Sequence, residues 1–372
     1  MFRLLATLLV SSVSSVLMAA EMPFYVGTYT KPEGSKGIYR FTLDGDTGKL
    51  SGGELAAEAS NPSFLAVHPS GEFLYSANEL DGGGGVSAFA INEDGTLKLL
   101  GQQSSKGGGA CHVWVDGGGK NVLVANYGGG NIASLPIRED GSIGEATGFV
   151  QHTGSSVEPN RQKEPHAHAI YTDGDDRFVY ACDLGTDRIY IYKFDPEKGT
   201  LTPNEPASGV VAPGSGPRHF AFHPAGGYAY VINELLNTID VFKHDAATGA
   251  LEPLQTVETL PDDFAGSSTT AEIFVHPNGR FLYGSNRGHD SIAVFLINEQ
   301  SGKLKPVDHT PTGGKGPRSF AIDPTGKWLI TANQQTNDLF VFKIDPATGS
   351  LTATDQTAKL AAPVCVMFPP RN

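Results

Sequence analysis

Cysteine is scarce: three residues in 372, Cys111, Cys182 and Cys365, none of them in a C-x-x-C pair. Thiols scattered through separate apolar runs build neither a disulfide framework nor a zinc cluster, and they read as buried core residues. Blocks of Lys and Arg are also missing, and 27 cations against 40 acids leave a formal charge of -13. The footprint of a nucleic-acid binder is therefore absent, and an anionic ligand would need a local cationic pocket. A membrane span is lacking too. The N-terminal apolar stretch MFRLLATLLVSSVSSVLMAA (1–20) is short and broken by Ser11, Ser12, Ser14 and Ser15. Arg3 precedes that stretch and small residues close it, the pattern of an export signal cleaved near Ala20. A mature chain of residues 21–372, periplasmic or secreted, is expected.

Glycine and proline, by contrast, are plentiful, at 46 and 24, while only 18% of residues are charged and 39% are hydrophobic. That balance suits a turn-rich globular protein. A hairpin signature recurs seven times: DGDTGKL, NEDGTL, REDGSI, DPEKGTL, DAATGAL, NEQSGKL and DPATGSL, ending at residues 50, 97, 143, 201, 251, 304 and 351. Asp or Asn opens each turn, and Gly supplies the positive φ that a tight hairpin demands. Runs such as IYIYKF, IDVFKH and LFVFKI precede the turns and read as strands. Before them come another strand (FLYSAN, NVLVAN, FVYACD, YAYVIN, FLYGSN, WLITAN) and a turn such as HPSG, HPAG, HPNG or DPTG with its own strand. Each unit is four antiparallel strands, one propeller blade. FYVGTYT (24–30) looks like a second strand without its first, and APVCVMFPP (362–370) like a first strand with nothing after it. The expected fold is an all-β, seven-bladed propeller, one circular domain whose last strand closes the first blade.

Repeats within one chain separate scaffold from site. GPRHFAFHPAGGYAYVINEL (216–235) returns one hundred positions later as GPRSFAIDPTGKWLITANQQ, with its skeleton kept. Second strands close on Asn78, Asn126, Asp183, Asn233, Asn286 and Asn333, with Thr28 in the split blade, which an Asx side chain pinning the next turn explains. His68, His223 and His276 exchange with Asp323 in the HP-x-G turn and read as structural. The next rim position varies freely: Tyr29, Glu79, Tyr127, Leu184, Glu234, Arg287 and Gln334. At the start of the first strand stand Ser63, Cys111, His166, Arg218, Ala271 and Arg318, followed by Phe64, His112, Ala167, His219, Glu272 and Ser319. Adjacent antiparallel strands bring these rims to one mouth of the channel. His112, His166, Arg218, His219, Glu234, Glu272, Arg287 and Arg318 should therefore share a funnel. His166 and His168 in EPHAHAI, two apart, should share a strand face, but an H-x-H pair alone is weak evidence for a metal, and none is expected. The segment HTGSSVEPNRQKEP (152–165) lengthens one repeat and is a candidate lid.

YVGTYT, GIYRFTLD, EPHAHA, GPRHFAFHP followed by INEL, and SNRG resemble the seven-bladed propeller lactonase family. That family includes propeller-type 6-phosphogluconolactonases and the fungal carboxymuconate-lactonizing enzyme. The resemblance covers nearly the whole mature chain. It implies chemistry on a lactone carboxylate without metal or other cofactor, with catalytic His166 or His168, Arg218, Glu234 and Arg287. His112, His219, Glu272, Arg318 and Gln334 are expected to bind the substrate. Glu234 or a histidine of the H-x-H pair would activate water, Arg218 would stabilise the oxyanion, and Arg287 or Arg318 would hold a carboxylate or phosphate. Hydrolysis of a sugar-type or other small lactone by an exported monomer is the expected activity. A carboxymuconate-type cycloisomerase and a ligand-binding propeller without turnover are the alternatives.

Overall fold

A computed structural model describes residues 21–80 and 83–370; the 1–20 stretch read as an export signal lies outside the described residues. Seven four-stranded antiparallel sheets follow one another along the chain. Blade 1 joins Pro363–Met367 to the three strands between residues 21 and 58, so the C-terminal strand closes the ring onto Glu21–Thr28 as expected. Blades 2 to 7 are consecutive: 62–104, 110–151, 167–210, 217–258, 269–311 and 317–359. The first strand of every blade lies beside the first strand of the next, all the way round the central channel. Among the described residues no helix is long and apolar enough to cross a membrane.

The strands are apolar on both faces because each blade is packed between two others. Seven hydrophobic clusters result, one per seam. Phe24, Phe41, Trp328 and Val341 fill the seam between blades 7 and 1, for example, and Phe281, Tyr283, Phe320 and Phe342 that between blades 6 and 7. The hairpin signature has a second duty at these seams. Tyr25, Tyr75, Tyr180, Tyr230 and Tyr283 each donate a buried hydroxyl to the carbonyl of the hairpin glycine one blade ahead: Gly95, Gly141, Gly249, Gly302 and Gly349. Across the closure Trp328 instead donates its indole N–H to the carbonyl of Gly45, in the hairpin whose positive-φ glycine is Gly48. Those hairpin glycines hold φ between 66° and 78°, and a Cβ on Gly349 would strike the Phe281 ring, so Gly is required twice over. Each such hydrogen bond adds about 1 kcal/mol net.

The scaffold reading of the repeated polar residues holds. His68, His223 and His276 spend Nε2 on the carbonyls of Gly119, Gly279 and Gly326 in the next blade. Asn78, Asn126, Asn286 and Asn333 donate from Nδ2 to the chain entering the first strand of their own blade. A bulge interrupts the first strand of all seven blades, between residues 62/64, 110/112, 167/169, 217/219, 270/273 and 317/319, and in blade 1 opposite Gly27/Thr28. The extra residue at the start of each strand is therefore the one that varies: Ser63, Cys111, Arg218 and Arg318 sit there. A bulge breaks the two-residue alternation, so neighbours such as Arg218 and His219 can both serve the channel.

Blade 4 departs from the sequence expectation by two residues. Its first strand is Ala167–Thr172, with Ala167 opposite Asp183 and the bulge at His168. His168, not His166, occupies the slot of Arg218, and Ala169 rather than Ala167 that of His219. His166 stands where Gly216 stands in blade 5: its carbonyl accepts from Leu184 N, as that of Gly216 does from Glu234 N. The register is set by the turn at Asp173, whose N–H binds the Phe178 carbonyl and whose carboxylate accepts from Arg177 N and Phe178 N. The two histidines consequently do not share a face of one strand.

Candidate functional site

Glu234 directly follows the second strand of blade 5 at the mouth of the channel and is only 6% exposed. Three guanidinium groups converge on it. Arg161 Nη2 lies 2.7 Å from Oε1, while Arg218 Nε at 3.0 Å and Arg287 Nη2 at 2.9 Å share Oε2. Burial by itself would raise the Glu234 carboxyl, but Arg287, Arg218 and Arg161 outweigh it and hold its pKa at about 2. Such a carboxylate orients cations and is a poor proton acceptor.

Each arginine is placed by backbone as well. Arg218 Nη1 donates to Ala271 O at 2.6 Å and Arg287 Nη2 to Thr270 O at 2.7 Å, both on the first strand of blade 6. Arg218 has thereby committed Nε and Nη1, and Nη2 keeps its N–H groups without a hydrogen bond to the described residues. Arg287 is displaced down to about 10, by burial first, with Glu234 opposing. Arg318 lies across the funnel over the Tyr29 ring, 5.3 Å from its centroid. The nearest acid to it is Glu79, at 3.9 Å, whose Oε2 already accepts the Tyr29 hydroxyl at 2.7 Å.

Arg161, which the sequence reading did not select, comes from the 152–165 insert. Its signal was the length of that repeat, but nothing local marks this residue among Asn160, Gln162 and Lys163. The insert is tied down: Gln162 Nε2 binds Leu184 O and Asp187 Oδ1, and Asp187 also takes Ser156, Gly214 N and Gly216 N. At the two ends His152 Nδ1 meets Asp183 Oδ2 at 2.7 Å and His166 N donates to Asp183 Oδ1. Arg161 also binds the Tyr127 hydroxyl at 3.0 Å. Tyr127 and Glu79 are rim residues that the repeat comparison lists but does not select; in the fold they link the insert and Arg318 to the funnel.

Both histidines of EPHAHAI meet Tyr127. The His166 ring stacks on it at 4.4 Å, half-buried, with Nδ1 on the Tyr127 carbonyl; His168 meets it edge-on at 5.6 Å and is 4% exposed. Further along the first strands are His219, 5.3 Å from His168 and 5.4 Å from His112 between ring centroids, and Glu272, whose Oε1 is 2.6 Å from His219 Nδ1. His112, His168 and His219 are all driven well below the usual imidazole range, by burial first, and then by Arg218 for His168 and His219 and by His219 ahead of Arg218 for His112. They are unprotonated at neutral pH. Gln334 sits at the rim position of blade 7, half-buried, with its backbone N–H on Gly316 O, and its side chain makes no hydrogen bond to the described residues. Among the described residues no three His, Cys, Asp or Glu side chains converge as a metal-ion site.

The arrangement offers an ionised carboxylate ringed by guanidinium groups with donors to spare, beside neutral imidazoles, in a protein of net negative charge. Comparison with known proteins gives it a context. A family model described as lactonase, 7-bladed beta-propeller, matches residues 23–368. A 6-phosphogluconolactonase of Bacillus subtilis is 43% identical over 300 residues, 80% of this chain and 84% of its own. A protein of the same description from Formosa agariphila is 35% identical, over 80% of this chain and 86% of its own. The solved structure of the periplasmic gluconolactonase of Pseudomonas aeruginosa superposes with a TM-score of 0.89 at 32% identity, covering 94% of this chain and 99% of that one.

Proposed function

Because the chain belongs to the seven-bladed β-propeller lactonase family, we propose that it hydrolyses a sugar-type lactone, of the gluconolactone or 6-phosphogluconolactone kind, after export from the cytoplasm. The observation that carries this reading is the arginine-ringed Glu234 next to neutral imidazoles. Water attacking a lactone carbonyl needs a base for its proton and a donor for the developing oxyanion. Arg218 supplies the donor from Nη2, preorganised because Glu234 and Ala271 O fix the rest of its fork. Arg287 and Arg318 face any carboxylate or phosphate the lactone carries, a task suited to guanidinium. Of the two bases expected from the sequence, Glu234 is disfavoured by its three cations, and the work passes to an imidazole. Within the H-x-H pair, His168 lies on the funnel wall, whereas His166 has committed Nδ1 to a backbone carbonyl and lies outside the strand.

Export is supported by the composition of residues 1–20 and by the periplasmic relative. Cell fractionation with the mass of the processed chain tests it. The activity is tested by pH-stat release of acid from δ-gluconolactone, 6-phosphogluconolactone and a carboxymuconate, with wild type and Arg218→Ala. Wild-type turnover of the sugar lactones, with a loss on the order of 100-fold in the variant, is expected. Turnover of the muconate alone would replace hydrolysis by cycloisomerisation, and a ligand that raises Tm with no turnover would make the protein a binder.

A further inference from the structure

The three imidazoles of the channel share an unexplained feature. His112, His168 and His219 are nearly wholly buried, and each leaves a ring nitrogen without a partner: His112 Nε2, His168 Nδ1 and His219 Nε2. Phe64 packs against two of the rings, at 4.2 Å from His112 and 5.6 Å from His219. Two tautomers follow from the other nitrogens. Ile170 N–H approaches His112 Nδ1 at 3.4 Å, so that nitrogen accepts and Nε2 carries the proton. With Glu272 Oε1, which accepts Ile273 N–H at 3.1 Å, taken as the acceptor towards His219 Nδ1, the His219 proton sits on Nδ1 and Nε2 presents a lone pair. A buried donor and a buried acceptor on rings whose centroids lie 5.4 Å apart are rarely both left unpaired, and a small polar occupant between the rings would satisfy them.

We infer that this cluster holds the attacking water, with His112 Nε2–H donating to it, His219 Nε2 taking its proton, and Glu272 fixing the His219 tautomer. The inference rests on the lactonase reading. His219 follows Arg218 in the bulged strand, so base and oxyanion donor are consecutive residues. As the water oxygen bonds to the carbonyl carbon, one proton passes to His219 Nε2. The bond from that carbon to the ring oxygen then breaks, the imidazolium returns the proton to the departing alkoxide, and a hydroxy acid leaves with His219 neutral again. Glu272 is a positioning residue and keeps its protonation state through the cycle. Burial lifts Glu272 to about 8, opposed by Arg218, Ile273 N–H and Arg318; Tyr171 and Cys365 face it from blades 4 and 1. Its ionisation as pH rises through that value makes His219 a stronger base.

The test is kcat and KM for δ-gluconolactone and 6-phosphogluconolactone from pH 5 to 8.5, corrected for spontaneous opening, in wild type, His219→Gln and Glu272→Gln, with circular dichroism and Tm for each. His219→Gln should lose roughly 100-fold in kcat with KM within about 3-fold. Glu272→Gln keeps an acceptor for Nδ1 and should lose about 10-fold and the rise near pH 8 together. Folded His219→Gln with kcat within about 3-fold of wild type overturns the assignment while leaving the lactonase reading intact. If His219→Gln fails to fold, Glu272→Gln decides: a pH profile parallel to wild type overturns it, and loss of the rise near pH 8 upholds it. Wild type inactive on both lactones overturns both readings.

Discussion

Arg161 Nη2 reaches 2.7 Å from Glu234 Oε1, although the two residues are 73 positions apart and only Glu234 belongs to the repeating blade skeleton. An insert that looks like decoration in the sequence thus completes the charge cluster of the funnel. The contact is half-open, with the Arg161 side chain 37% exposed.

Arg161→Ala should lower kcat/KM for the lactone about 10-fold, chiefly through KM, because Glu234 keeps its two buried arginines. Its Tm should stay close to that of wild type, since partly exposed ion pairs contribute about 0–1 kcal/mol. Steady-state kinetics beside a melting curve check both halves, and an unchanged KM would remove the insert from the site.

The blade 4 register predicts unequal effects in the H-x-H pair. His168 lies on the funnel wall in the slot of Arg218, and His166 props Tyr127 from outside the strand. His168→Gln should cost at least about 10-fold more in kcat/KM than His166→Gln. The reverse order, measured on one lactone at one pH, would restore His166 to the funnel.

Acid stability should carry the signature of Glu234. Its folded pKa of about 2 lies below its ordinary 4.5, so its contribution to stability is fully present above pH 5 and is lost as pH falls towards 2. The depression corresponds to about 3 kcal/mol. Denaturant unfolding of wild type and Glu234→Gln between pH 6 and pH 2.5 should show a shallower loss of stability in the variant. Parallel curves would mean that other carboxylates dominate acid unfolding.

Gly185 and Gly130 let the end of the insert lie flat on the propeller. A Cβ at Gly185 would run into the Glu164 carbonyl, and one at Gly130, where φ is 58°, into that of Pro165. Gly185→Ala should destabilise by about 1–3 kcal/mol or lift the insert. Limited proteolysis near Arg161 and Lys163, together with Tm, distinguishes the two; neither change would mean that the backbone adjusts there without cost.

Blade count and ring closure were readable in the chain because both depend on local chemistry repeated seven times. Asx–Gly hairpins, β-branched runs and two unpaired end strands, 24–30 and 362–370, suffice to specify sheets and their closure. The same repetition separated scaffold from funnel: Asn78, Asn126, Asn286, Asn333 and the HP-x-G histidines bind backbone, while Arg218, Glu234, Arg287 and Arg318 gather at the mouth. The sequence by itself therefore determined the propeller and most members of the charged cluster proposed as its site. Their partners, the register of blade 4, the capture of Glu234 by Arg161 and the nest of His112, His168 and His219 beside Glu272 were decided only by tertiary structure. The physical reason is distance along the chain: a hairpin is settled within six or seven residues, whereas charges and imidazoles more than 50 residues apart, such as Arg161 and Glu234 or His219 and Glu272, meet only when the blades close around a channel.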